Sequence, residues 1–155
     1  MNTSDEAVKI YLDVCSLQRP FDDQRQARIR LEAEAVKLII ARVEDGDFTW
    51  LTSEVVDYEV AQNPDAERAF KARLLAAHAE TKVIVGANET ARANELEQLG
   101  FTGFDALHPA CAESGNADVF LTTDDKLLKR AARVATKLGV RVANPLQWAQ
   151  ETITV

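Results

Sequence analysis

Asp13, Glu59, Asp105 and the pair Asp124-Asp125 are the side chains of this sequence whose positions suit chemistry. Asp13 closes the apolar run Val8–Leu12, and Asp124-Asp125 follows the apolar run centred on Val119-Phe120-Leu121. In a parallel α/β sheet, ligands bind beyond the carboxyl ends of strands where the strand order reverses. An acid just past a strand end is therefore placed for chemistry, and equally well placed to cap the helix that follows. Asp105 opens a helix that feeds the second of these strands. With Thr102 ahead of it, it has the spacing of a capping box in which Asp replaces Glu.

Glu59 follows Val55 by four residues and Val56 by three, so it shares their helix face. A carboxylate on a core-facing stripe must be protonated, paired or metal-bound. Glu54 and Asp57 lie nearer the start of the same helix, where the dipole accounts for them. Asp118 begins the strand that Asp124 follows, and so belongs to the opposite end of the sheet.

If the strands ending at Asp13 and Asp124 are neighbours, these acids share one crevice, and Asp105 reaches the same edge. Carboxylates gathered in one pocket repel, and some are forced to hold protons. A divalent cation removes the conflict. Mg2+ and Mn2+ favour oxygen ligands, often a few carboxylates with waters and substrate phosphates. Such a site can activate water and stabilise the leaving oxygen in phosphodiester hydrolysis. Arg19, Arg25, Arg28, Lys126, Lys129 and Arg130 are candidate phosphate contacts, though for most of them solvated helix surface is the favoured role.

The elements that must position these acids alternate. Strands are expected at Val8–Leu12, Phe48–Leu51, Lys82–Val85, Asp118–Thr122 and Val140–Ala143. A long helix is expected over Gln24–Val43, with Ile29, Ala33, Val36, Ile40 and Val43 on one face. Further helices follow Ser53, Asp65 (with Phe70, Leu74 and Ala77 inward), Ala87 and Gly103. Another covers Lys126–Leu138, with Leu128, Ala131, Ala135 and Leu138 inward, and Pro145 begins a last one. The alternation argues one α/β domain over residues 1–155 with a parallel sheet.

Composition narrows the function. A formal charge of −7 argues against broad, nonspecific nucleic-acid binding while leaving room for a local basic groove. No apolar run is long enough for a transmembrane helix, and the start MNTSDEAVKI lacks the features of a signal peptide, so a cytoplasmic protein is expected. Cys15 and Cys111 lack metal-ligand spacing and are expected reduced and partly buried. His78 and His108 are expected in surface or capping roles.

The order of these features resembles the PIN-domain family, and within it the ribonuclease toxins of bacterial toxin–antitoxin pairs. The matching stretches are IYLDVCSL around Asp13, TSEVVDYEV around Glu59, FDALHPACAESG around Asp105 and ADVFLTTDDKLL around Asp124, and together they span about Val8 to Ala149. The resemblance implies a PIN-like three-layer α/β/α domain whose central parallel sheet is ordered 3-2-1-4-5. It also implies a metal-dependent endoribonuclease in which Asp13, Glu59, Asp105 and Asp124 are catalytic residues and hold Mg2+ or Mn2+. An RNA substrate, a cognate antitoxin and a homodimer are the partners it implies, with no membrane. Two positions depart from the family pattern: Cys15 stands where many relatives have Asn, and Asp124-Asp125-Lys126-Leu127 stands where Asp-Phe is common. The family match favours Asp124, with Asp125 as a substitute. Two other readings compete. A receiver-type phosphoacceptor domain lacks its acceptor Asp and its Lys at the ends of strands three and five. A non-catalytic RNA- or protein-binding domain on the same fold is the alternative.

Overall fold

The structure is a computed structural model, and it describes residues 7–153. The first strand, β1, is Val8–Leu12, and its last three residues are fully enclosed. It is the middle of a five-stranded sheet with β2 (Phe48–Ser53), β3 (Thr81–Val83), β4 (Val119–Leu121) and β5 (Arg141–Ala143). The order is β3-β2-β1-β4-β5 and every pairing is parallel, with Ile10 opposite both Trp50 and Val119. This is the order expected. It differs from the 2-1-3-4-5 order of receiver-type domains, which removes that reading.

Parallel strands need crossovers, and helices supply them. In chain order they are α1 (Val14–Gln18), α2 (Ala27–Glu44), α3 (Glu54–Ala61), α4 (Ala66–Ala76), α5 (Ala87–Gln98), α6 (Phe104–Ser114), α7 (Asp125–Arg133) and α8 (Pro145–Thr152). The core is continuous through the sheet, from Val36 and Ile39 of α2 through Tyr11, Trp50 and Phe120 to Leu96 of α5 and Ala110 of α6. With both faces covered, the central strands are apolar on both sides, as parallel sheets require.

The expected helix faces need correction in two places. On α4 the buried residues are Ala69, Ala72 and Ala76, while Phe70 and Leu74 are each 54% exposed. Alanines let that helix approach its neighbours closely, which turns the bulky residues outward. The helix after β4 ends at Arg133, with Leu127 and Ala131 buried rather than Leu128, and Ala135–Lys137 forms a separate 3-10 turn. The long helix starts three residues later than expected, and two elements the sequence did not suggest, α1 and a 3-10 turn at Arg19–Phe21, precede it. Among the described residues, no helix is long and apolar enough to cross a membrane.

A buried ion network fastens the loops below the site. Glu32 of α2 is 1% exposed and accepts from Arg19 Nε at 2.9 Å, Arg28 Nε at 3.0 Å and Asn144 Nδ2 at 2.7 Å. Arg28 also donates through both terminal nitrogens to Asp125, at 2.8 Å each, and to the Thr123 carbonyl at 3.2 Å. One carboxylate thus joins the turn after α1, the start of α2, the β4–α7 loop and the start of α8.

Candidate active site

The adjacency of β1 and β4 brings Asp13 and Asp124 to one edge. Leu12 pairs with Leu121, and the Asp13 backbone N–H continues the ladder by donating to the Leu121 carbonyl at 3.2 Å. Asp13 caps α1, its Oδ1 accepting from Ser16 N at 2.9 Å. Asp124 caps α7 in the same way, its Oδ1 accepting from Lys126 N at 2.9 Å and Leu127 N at 3.3 Å. Capping and site membership are therefore compatible here. Each cap engages one carboxylate oxygen.

Asp105 behaves differently. The N-cap of α6 is Gly103, at φ +54, and no side chain caps that helix, so the capping box suggested by Thr102 and Asp105 does not form. Asp105 stands in the first turn, half-buried, free to face the other acids. Burial holds its carboxyl above the ordinary aspartate range. The charges of Asp124 and Asp13, and more weakly Glu59, push the same way against the pull of His108. Asp13, Asp124 and Glu59 thus all lie within electrostatic reach of Asp105.

Asp13 is 6% exposed, and burial pushes its carboxyl up as well, opposed by hydrogen bonds from Thr122, Ser16 and Cys15 and by the nearby His108. The Cys15 thiol lies 3.1 Å from both Asp13 oxygens and 3.4 Å from Thr122 Oγ1. Burial and the Asp13 charge raise the Cys15 thiol, so it stays protonated and donates. Cys15 therefore contacts the acid polarly despite standing where relatives carry Asn. Thr122 Oγ1 also accepts from Asp124 N at 3.1 Å, linking the surroundings of both strand-end acids.

Of the three acids on α3, Glu59 is the one turned toward this edge. Val55 and Val56 beside it are buried, and its carboxylate accepts from His108 Nε2 at 2.7 Å. Glu54 instead accepts from Val85 N at 2.6 Å, and Asp57 pairs with Lys82. Asp118 sits at the far end of the sheet, its Oδ2 accepting from Lys9 N at 2.8 Å. Asp125 turns away from the acids into the Arg28 pair, which holds its carboxyl below the ordinary range.

His108 corrects a sequence expectation. It is buried, 3% exposed, rather than on the surface. Its Nδ1 lies 2.7 Å from Tyr11 Oη, which lies 2.7 Å from Ser53 Oγ, which accepts from Val56 N at 3.3 Å. One arrangement satisfies every atom: Ser53 donates to Tyr11, Tyr11 donates to His108 Nδ1, and His108 Nε2–H donates to Glu59. The available signal was the position of His108, three residues after Asp105 on the apolar face of the same helix.

The donor set is all oxygen, and among the described residues neither raised carboxyl enters a salt bridge, which fits a hard divalent cation. Among the described residues, no three acidic, histidine or cysteine donors are already drawn into a closed metal cage. Mg2+ keeps several waters and is commonly held by one or two carboxylates plus phosphates, so an open cluster suits it. A cavity of about 600 Å3 lies elsewhere, lined by Thr52, Asp57, Arg73 and Lys82, and holds none of the four acids.

No curated protein matches the sequence at a significant level. Solved structures share the fold at low identity. VapBC2 from Rickettsia felis, bound to a DNA fragment from its promoter, matches with TM-score 0.56 and 17% identity, over 88% of this chain and 98% of that one. PAE2754 from Pyrobaculum aerophilum matches with TM-score 0.55 and 14% identity, over 96% of this chain and 92% of that one. The PIN domain model matches residues 10–134, a span that runs from within β1 to the end of α7 and includes every acid described above. With that match and the 3-2-1-4-5 sheet, this chain belongs to the PIN domain family.

Proposed function

We propose that this protein is a metal-dependent endoribonuclease, the toxin of a toxin–antitoxin pair, with its site at Asp13, Glu59, Asp105 and Asp124. PIN domains are generally nucleases, and the observation that carries the reading here is electrostatic. The fold holds Asp13 and Asp105 as carboxyls whose ionisation is opposed by burial and, at Asp105, by the other acids, and among the described residues neither enters a salt bridge. Such an arrangement costs stability unless a cation or a proton occupies it.

Asp13, Asp105, Asp124 and Glu59 are the residues that would hold one or two Mg2+ or Mn2+ ions. When bound, the metal supplies charge neutralisation and activation of water for phosphodiester hydrolysis. The chain's own part is preorganisation. Ser16 N–H and the Cys15 thiol fix Asp13, the two N–H groups of α7 fix Asp124, and His108 fixes Glu59. Backbone amide and thiol donors hold Asp13 and Asp124 in place without neutralising them, which leaves their charge for a cation.

Purified protein is expected to cleave single-stranded RNA with Mg2+ or Mn2+ and to stop with EDTA. Full cleavage in EDTA, or cleavage surviving Asp13→Asn, overturns the mechanism. Silencing by an antitoxin and assembly as a homodimer belong to the same reading. Exposed Leu31 and Leu38 on α2, and Phe70 and Leu74 on α4, offer apolar surface of the kind protein partners cover. Expression alone is expected to arrest growth, and co-expression of the adjacent gene to relieve it. Arrest that persists in Asp13→Asn would mean the effect is not nucleolytic.

A further inference from the structure

We propose that the recess between the turn Gly100–Thr102 and the first turns of α7 is a subsite for a backbone phosphate of single-stranded RNA, held by Lys126 and Arg130. The inference rests on the nuclease reading and adds to it a second anchor for the same substrate, beside the acidic cluster.

A cavity of about 200 Å3 opens there, and its wall includes Asp105, Lys126 and Arg130. Asp105 is thus the shared boundary: acids on one side, two cations on the other. Lys126 and Arg130 are four residues apart on one helix, so they line the same face. The rotation of α7 is set by burial of Leu127 and Ala131, which leaves Lys126 exposed and Arg130 half-buried at the recess. Gly100 adopts φ +104, and a Cβ there would run into the Arg130 guanidinium. The bare backbone of that turn therefore admits Arg130 against it. The aromatic in the wall, Phe101, is 1% exposed, so the recess offers charge rather than a stacking platform for a base.

The remaining basic candidates sort the other way. Arg19 is engaged by Glu32 and Asp22, Arg25 by Asp23, and Arg28 by Glu32 and Asp125. An arginine already forked between carboxylates has few donors left for phosphate. Lys126 and Arg130 enter no ion pair among the described residues, and both face a concavity that touches the acidic site. Lys129 shares their helix but is not part of that wall. In a chain of net charge −7, such a confined basic pair gives RNA a local foothold that the overall field does not.

The test is fluorescence anisotropy of a short labelled single-stranded RNA, with Ca2+ in place of Mg2+ and RNA integrity checked on a gel. Lys126→Gln and Arg130→Gln are each expected to weaken binding several-fold. Each should also flatten the slope of log affinity against log salt by roughly 0.7, the share of one phosphate contact on a single strand. Arg133→Gln, which removes the same charge from an exposed position on the same helix, is expected to change both far less. In cleavage assays with Mg2+ the double variant should raise KM more than it lowers kcat. Unchanged affinity and slope in the double variant overturn the subsite, as does an equal loss in Arg133→Gln, which would indicate a diffuse field. A wild-type protein that binds RNA but never cleaves it overturns the nuclease reading, while the same binding comparison still decides the subsite. Wild type that binds no RNA overturns both.

Discussion

His108 Nε2 donates to Glu59 at 2.7 Å from a ring that is 3% exposed, and this bond makes Glu59 the acid of α3 that faces the site. Glu59→Gln keeps an acceptor oxygen for His108 while removing the charge. It is expected to abolish metal-dependent cleavage with little loss of fold. Glu54→Gln likewise keeps an acceptor for Val85 N and should largely spare cleavage. His108→Phe is the harsher change. It removes one of the two partners of Tyr11 Oη, leaving Ser53 Oγ, and releases Glu59, at about 1 kcal/mol for the lost hydrogen bond. Cleavage rates of the three variants, with circular dichroism to confirm folding, give the ranking. Activity that survives Glu59→Gln but not Glu54→Gln would show that the wrong face of α3 has been assigned.

Asp13 links activity to stability in opposite directions. Its folded-state carboxyl lies above the ordinary range because of burial, and that of Asp105 does so through burial and the neighbouring acids. A carboxyl raised on folding contributes stability that is full below its unfolded pKa and is lost as pH rises through the folded one. The apo protein is therefore expected to lose stability from these acids as pH rises above the ordinary aspartate range. Asp13→Asn removes the buried charge and, since Asn is as good an N-cap as Asp, should keep α1. At neutral pH its Tm is expected to rise by a few degrees, since about 1 kcal/mol shifts a domain of this size by ~2–4 °C. Mg2+ or Mn2+ should raise the Tm of wild type and not of the variant. Thermal melts across pH, with and without metal, check both parts. A variant less stable than wild type at neutral pH contradicts the account.

What the sequence made legible follows from how local each signal is. The end of β1 at Leu12 and the capping position of Asp124 rest on a contiguous apolar run and a single turn, and both are found where expected. The inner face of α4 was misjudged because periodicity cannot tell an alanine stripe that permits close packing from a bulky stripe beside it. His108 was missed because its partners, Tyr11 and Glu59, are 97 and 49 residues away and lie on other elements. The Glu32 network is long-range in the same sense, reaching Asn144 across 112 residues. The grouping of the four acids needed the β1–β4 adjacency, which spacing alone does not fix and the family resemblance supplied.

Glu32 predicts a stability defect away from the acidic cluster. Removing one partner of a buried ion pair costs roughly 3–5 kcal/mol, because the remaining charge is left uncompensated. Glu32→Ala should fall near the low end, about 3 kcal/mol, since Arg19 retains Asp22 and Arg28 retains Asp125. Denaturant titration measures it, and a loss below about 1 kcal/mol, the range of surface pairs, would mean the network is merely decorative. Cleavage at low temperature, where the variant stays folded, should drop only modestly.

Asp124 is expected to separate from Asp118 and Asp125 on substitution. Asp124 accepts from Lys126 N and Leu127 N through Oδ1, and its charge reaches Asp105. Asn in its place keeps the cap and loses the charge, so Asp124→Asn is expected to remove metal-dependent cleavage from a folded protein. Asp118 lies at the other end of β4, roughly 13 Å back along the chain at strand rise, far beyond a metal–oxygen bond. Its bond to Lys9 N survives in Asp118→Asn, and cleavage should stay near normal. Asp125 is adjacent in sequence but forked to Arg28, whose other contacts are Glu32 and the Thr123 carbonyl. Asp125→Asn weakens that brace on the loop carrying Asp124, so a reduction of a few-fold is expected, without loss of metal binding. Calorimetric metal titration should follow the same ranking. If Asp118→Asn alone loses metal while staying folded, the proposed pocket is at the wrong end of the sheet.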